Sequence, residues 1–176
     1  YYKYLLKERG FDYLICGQHC GFDFDKKSYP YFNDLEGIKK YKEDVIKAIK
    51  SGLFLYIAHP DLFFINFEEV TPIHKEVTKE IIDAAIKYDV ALEINMHGFL
   101  RNHDRNGHHY IDYPCDYFWQ EASKTTVKIV VGADYHSPED IDLTTPIEKV
   151  NNLIEKYNIQ IADIKNIYIK YKERLK

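Results

Sequence analysis

A repeated alternation limits the possible folds of this chain most. Short apolar runs end in polar groups, and an amphipathic stretch of helical period follows each. The runs are Phe11–Cys16, Leu53–Ala58, Val90–Asn95 and Val127–Gly132. The stretches that follow are Asp34–Ser51, Thr71–Tyr88, Pro114–Thr125 and Pro146–Tyr157. Strand-length runs alternating with helices every thirty to forty residues imply parallel strands with helices packed outside. In such folds the ligand-bearing groups gather at the carboxyl ends of the strands.

The helices carry their own boundaries. Tyr1–Arg9 reads as a helix end with Gly10 as its stop. Asp34 is a candidate N-cap and Gly52 a stop, with Ile38, Tyr41, Val45, Ile46 and Ile49 on one face. Thr71 precedes Pro72 in a first turn, and Ile73, Val77, Ile81, Ala84 and Ala85 make the packing stripe. His74 on that helix reads as solvated. Phe118, Trp119 and Ala122 pack the next helix, and Ser137 is a candidate N-cap. Leu62–Ile65 either covers the mouth of the fold or packs under the following helix. Gly21–Asn33 is an aromatic loop, a lid or a plug. Residues 102–112 form a polar loop, and Ile159–Lys176 fits either a helix or an edge strand.

Composition narrows the class. With 45% hydrophobic and 30% charged residues, the chain of 176 residues is a folded single domain rather than a disordered one. A net charge of −4 gives no broad reason to bind nucleic acid or an anionic membrane. The longest apolar run is far short of the ~20 residues a membrane helix needs. Three cysteines, Cys16, Cys20 and Cys115, form no disulfide framework and favour a reducing compartment. The opening residues do not read as a signal peptide, so a cytoplasmic location is expected.

The chemistry lies at the run ends. Gly17-Gln18-His19 follows the first run. His59-Pro60-Asp61 follows the second, where Pro60 should hold His59 extended. Glu93 and Asn95 end the third, with Arg101 downstream. Asp134 and His136 follow the fourth, two positions apart. A carboxylate and an imidazole so placed can share a divalent ion or make an Asx-turn beside a solvent histidine. His19 alone is as readily a surface residue, and His59 a core histidine bonded to a carbonyl. Asp61 would orient a ligand or cap the following turn. Three ligand-bearing ends together favour a metal site, and mixed N and O donors suit zinc, manganese or iron. His97, His103, His108 and His109 are given no role.

In order and spacing, Gly17-Gln18-His19, Ala58-His59-Pro60-Asp61, Glu93-Ile94-Asn95 with Arg101, and Gly132-Ala133-Asp134-Tyr135-His136-Ser137-Pro138 resemble successive motifs of the PHP family, in particular its histidinol-phosphatase branch. The resemblance runs from Phe11 to about Pro138. It implies a distorted (β/α)7 barrel, here without its first βα elements, so that residues 1–176 are the C-terminal two-thirds of a PHP domain. It implies two or three divalent metal ions (Zn, Mn or Fe) held by His19, His59, Asp134 and His136. Arg101 would bind the substrate phosphate, and Asp61, Glu93 and Asn95 would support the site. The implied activity is hydrolysis of a small phosphomonoester, histidinol phosphate in histidine biosynthesis.

The chain departs from the family pattern by lacking the opening His-x-His and a later Glu. Residues 1–176 alone are therefore expected to be poorly active. The rival readings are a phosphodiesterase or exonuclease of the same family, disfavoured by the charge, and a non-catalytic incomplete module.

Overall fold

The computed structural model describes residues 1–23, 27–30, 34–101, 103–136 and 144–176, with the backbone alone for 20–23 and 27–30. Four parallel strands form the main sheet: β1 (Cys16–Gly17), β4 (Tyr56–Ala58), β5 (Ala91–Asn95) and β8 (Ile129–Gly132). Their spatial order is their chain order, β1-β4-β5-β8. Register is fixed by pairs such as Ile57 with Leu92 and Asn95 with Gly132. Helices α2 (Leu35–Ser51), α3 (Pro72–Lys87) and α4 (Asp116–Ser123) connect successive strands. Ile57, Leu92, Ile94 and Ile129 pack with these helices in one core.

Capping follows the sequence. The Asp34 carboxylate accepts the Gly37 N–H at 2.7 Å, and Gly52 takes φ +68° where α2 stops. Ile38, Tyr41, Val45 and Ile49 are fully buried, and Ile46 is half-buried. In α3 the buried stripe is Val77, Ile81, Ala84 and Ala85. Leu62–Phe64 is a buried 3₁₀ turn that packs under α3, which resolves its two readings.

His74 is a correction. It is fully buried rather than solvated. Its Nδ1 lies 3.2 Å from the Thr71 N–H and 2.8 Å from the Thr71 hydroxyl at the start of α3. Its ring packs against Phe63, Phe64 and Phe67 at centroid distances of 5.9, 4.8 and 4.6 Å. The capping role turns it inward, where the 3₁₀ turn supplies an aromatic box. Burial lowers its pKa to about 4.

Other boundaries also move. The Phe11–Cys16 run is strand only over Cys16–Gly17, with Phe11, Tyr13 and Ile15 exposed, although the Leu14 carbonyl still accepts the Leu55 N–H at 2.7 Å. Part of the aromatic loop is an antiparallel pair, β2 (Cys20–Asp23) with β3 (Lys27–Pro30). Residues 24–26 and 31–33 lie outside the described set, as do Ser137 and the turn after it. Within the polar loop, β6 (Asp104–Arg105) pairs with β7 (His108–His109). Asn106 and Gly107, both at positive φ, form the connecting turn.

At the ends of the chain, α1 (Tyr2–Glu8) precedes Gly10 at φ +70°. α5 (Thr144–Tyr157) follows the fourth strand. The ambiguous C-terminal stretch is helix α6 (Ile164–Arg174), with Ile167 and Tyr171 buried. It packs on the sheet face away from α2–α4, against Ala91 and Val130. A cavity of about 730 Å³ lies on that face, lined by Tyr13, Leu55, Tyr56, Val130, Ile161 and Tyr168.

The α/β class with parallel strands stands, and the barrel is not closed among the described residues. β1 pairs with β4 alone, and the far side of β8 carries a single bridge, Ile129 to Ile161. Among the described residues no helix is long and apolar enough to cross a membrane.

Candidate functional site

Parallel strands that start on one side of a sheet deliver their carboxyl ends to the other. β4, β5 and β8 therefore bring His59, Glu93, Asn95 and Asp134 together. Glu93 Oε2 accepts the His59 backbone N–H and the Asn95 side-chain amide, both at 3.2 Å. The same Asn95 nitrogen donates to Asp134 Oδ2 at 2.9 Å. Asn95 Oδ1 accepts the Gly98 N–H at 3.3 Å. One amide thus links two carboxylates drawn from neighbouring strands.

Two glycines make the arrangement possible. A Cβ at Gly132 would lie 1.7 Å from Glu93 Oε1, so the carboxyl occupies the space a side chain would fill. A Cβ at Gly17 would lie 3.0 Å from His59 Nε2 and 3.2 Å from His19 Cε1. Gly17 so allows the two imidazoles to meet, at a centroid distance of 4.6 Å.

His59 departs from its expected backbone. It takes φ +36° instead of the extended conformation normally imposed by a following proline. Hydrogen bonds with Glu93 and Tyr41, distant in the chain, together with a local turn bond from Leu62, override that preference. Its N–H donates to Glu93, and its carbonyl accepts from the Tyr41 hydroxyl at 3.1 Å and the Leu62 N–H at 3.1 Å. The side chain is 3% exposed, and its Nδ1 is buried without a hydrogen-bond partner among the described residues. Burial, with the neighbouring His19, lowers its pKa to about 4.

The acids differ. Glu93 is buried, and burial raises its pKa to about 7; its two hydrogen bonds oppose the rise, and the charges of Asp134 and Asp61 add to it. Tyr56, next to Glu93, has its phenol pKa raised by burial and then by that carboxyl. Asp61 is wholly buried and turns away toward α4. Its Oδ2 accepts the Cys115 N–H at 2.7 Å and the Trp119 indole N–H at 2.9 Å. Burial raises its pKa to about 7 as well, against the pull of those two bonds. Asp134 sits at φ +51° with Oδ1 3.7 Å from His136 Nε2.

The remaining residues lie at the rim. His136 is exposed, and its ring meets that of His97 edge-on at 5.5 Å. Arg101 is exposed and makes no direct contact with the network, but its charge reaches His59 and disfavours imidazolium there. His108 and His109 belong to the exposed β6–β7 pair, bonded to Glu68 and Asp104. His103 Nε2 accepts the Tyr113 N–H at 3.4 Å.

Sequence reasoning gave Tyr41 only a packing place, Gly132 only the end of a run, and His97 no role. Only His97, two positions after Asn95, carried a local signal.

Nitrogen donors at His19 and His59 and oxygen donors at Asp134 fit a divalent transition metal chemically. The unpartnered His59 Nδ1 supports that fit. Among the described residues, no group of three or more His, Cys, Asp and Glu side chains is close enough together to hold a metal ion.

Neither protein-family models nor curated proteins match the chain by sequence. Among solved structures, the fold is similar to the crystal structure of a candidate histidinol phosphatase, HisK, from Listeria monocytogenes. The TM-score is 0.61 at 17% identity, over 81% of this chain and 61% of that one. The chain thus spans less than two-thirds of that protein, and the likeness is one of fold.

Proposed function

We propose that the protein is the C-terminal two-thirds of a metal-dependent phosphatase of the PHP type, acting on a small phosphomonoester such as histidinol phosphate. The observation that carries this reading is the convergence of His59, Glu93, Asn95 and Asp134 at the carboxyl ends of three adjacent parallel strands. The fold likeness to a candidate histidinol phosphatase agrees with it.

In this reading His19, His59, Asp134 and His136 hold two or three divalent ions (Zn, Mn or Fe). Such ions supply charge neutralisation and a water of lowered pKa. The chain's own residues orient the donors. Glu93 fixes the His59 turn, and Asn95 fixes the Asp134 carboxylate. Arg101 offers a guanidinium fork to the phosphate oxygens. Asp61 anchors the wall of the site to α4.

The test is metal content and hydrolysis of p-nitrophenyl phosphate and histidinol phosphate, with and without added Mn²⁺. Asp134→Asn should lose both metal and turnover. Full activity and full metal in that variant would refute the proposal. Cleavage of single-stranded oligonucleotide in place of the phosphomonoesters would favour the phosphodiesterase alternative.

A further inference from the structure

Of the five non-glycine residues at positive φ among the described residues, four are Asp or Asn, which tolerate that region through their short polar side chains. His59 is the fifth, and it also precedes a proline. A side chain there is strained by its own Cβ, and a following proline normally favours an extended backbone instead. Something must hold it.

The restraint comes from α2. The Tyr41 ring is fully buried, and its hydroxyl lies 3.1 Å from the His59 carbonyl and 3.2 Å from the Pro60 carbonyl. One phenol thus reaches two successive peptide oxygens across the turn. On the other side, Glu93 Oε2 takes the His59 N–H. The peptide is gripped from both ends, and the imidazole is left against His19 with Nδ1 buried.

We infer that Tyr41 is a positioning residue that keeps His59 in its strained conformation and so sets the imidazole for ligand binding. The inference rests on the proposed metal role of His59. The conformational part stands apart from it. Tyr41→Phe removes one oxygen and keeps the buried ring. Ile49→Val, at another fully buried position of α2, is the control for general loosening of the helix.

The experiment pairs crystal structures of the wild type and Tyr41→Phe with calorimetric titration of Mn²⁺ into both and into Ile49→Val, each checked for folding by circular dichroism. In Tyr41→Phe, His59 should leave positive φ, and its ring should move from the 4.6 Å contact with His19. Mn²⁺ affinity should fall about tenfold, as when the partner that orients a metal ligand is removed. Ile49→Val should leave the affinity unchanged. An unmoved His59 in Tyr41→Phe overturns the inference, as does an equal affinity loss in Ile49→Val. If the wild type itself takes up no Mn²⁺, the metal reading fails, and the φ of His59 alone decides the role of Tyr41.

Discussion

Gly132→Ala puts the hydrogen-bonded centre under direct stress. The added methyl would sit 1.7 Å from Glu93 Oε1 and 2.6 Å from its Cδ, where contacts of roughly 3.5 Å are normal. The carboxyl has to swing away, since the nearest obstruction is its own end. Leaving its place breaks the bonds from the His59 N–H and the Asn95 amide, both 3.2 Å long. Each buried donor left unpaired costs about 1–3 kcal/mol, so a loss of about 2–4 kcal/mol is expected once partial relaxation is allowed. Urea denaturation of wild type, Gly132→Ala, Glu93→Ala and the double variant measures it. With Glu93 truncated the methyl has room, so the double variant should be no less stable than Glu93→Ala. A Gly132→Ala protein within about 0.5 kcal/mol of wild type, or fully additive losses, would refute the reasoning.

Two further outcomes follow from buried titrating groups. His74 has its pKa lowered to about 4 from 6.5, so its contribution to stability is whole above pH 6.5 and is lost as pH falls toward 4. Denaturation midpoints across that window should fall less steeply in His74→Phe, by on the order of 2 kcal/mol over the range. Asp61 has its pKa raised to about 7 from 3.8, so the wild type loses stability from this group as pH rises through that interval. Asp61→Asn should therefore gain on the wild type at pH 8 relative to pH 5 in urea titrations, whereas Asp61→Ala should cost about 3 kcal/mol and shift Trp119 fluorescence.

Much of this fold is written locally. Asp34, Gly52, Thr71 and Pro72 bound their helices as local rules require, and Ile38, Tyr41, Val45 and Ile49 fall on the buried face. The strand ends that carry His59, Glu93, Asn95 and Asp134 were legible from the same alternation, because parallel strands leave no other place for them. What stayed hidden depends on residues far apart in the chain. Local sterics predict an extended His59, and partners at Tyr41 and Glu93 reverse that. His74 looked solvated because the phenyl rings that enclose it come from the preceding turn rather than from its own helix. In the sequence Gly132 only ends the fourth run, yet it makes room for a side chain from the neighbouring strand. The Asn106-Gly107 pair was readable as a hairpin turn, and the polar residues around it obscured the signal.

The amide of Asn95 has a further consequence. Its nitrogen donates to Glu93 and Asp134 while its oxygen accepts the Gly98 N–H, so a flip would set oxygen against two carboxyls. The two acids are thereby held side by side by a neutral group. Among the described residues, no lysine or arginine forms an ion pair with either. A cation arriving there has no resident lysine or arginine salt bridge to displace, and the two carboxyls already stand side by side.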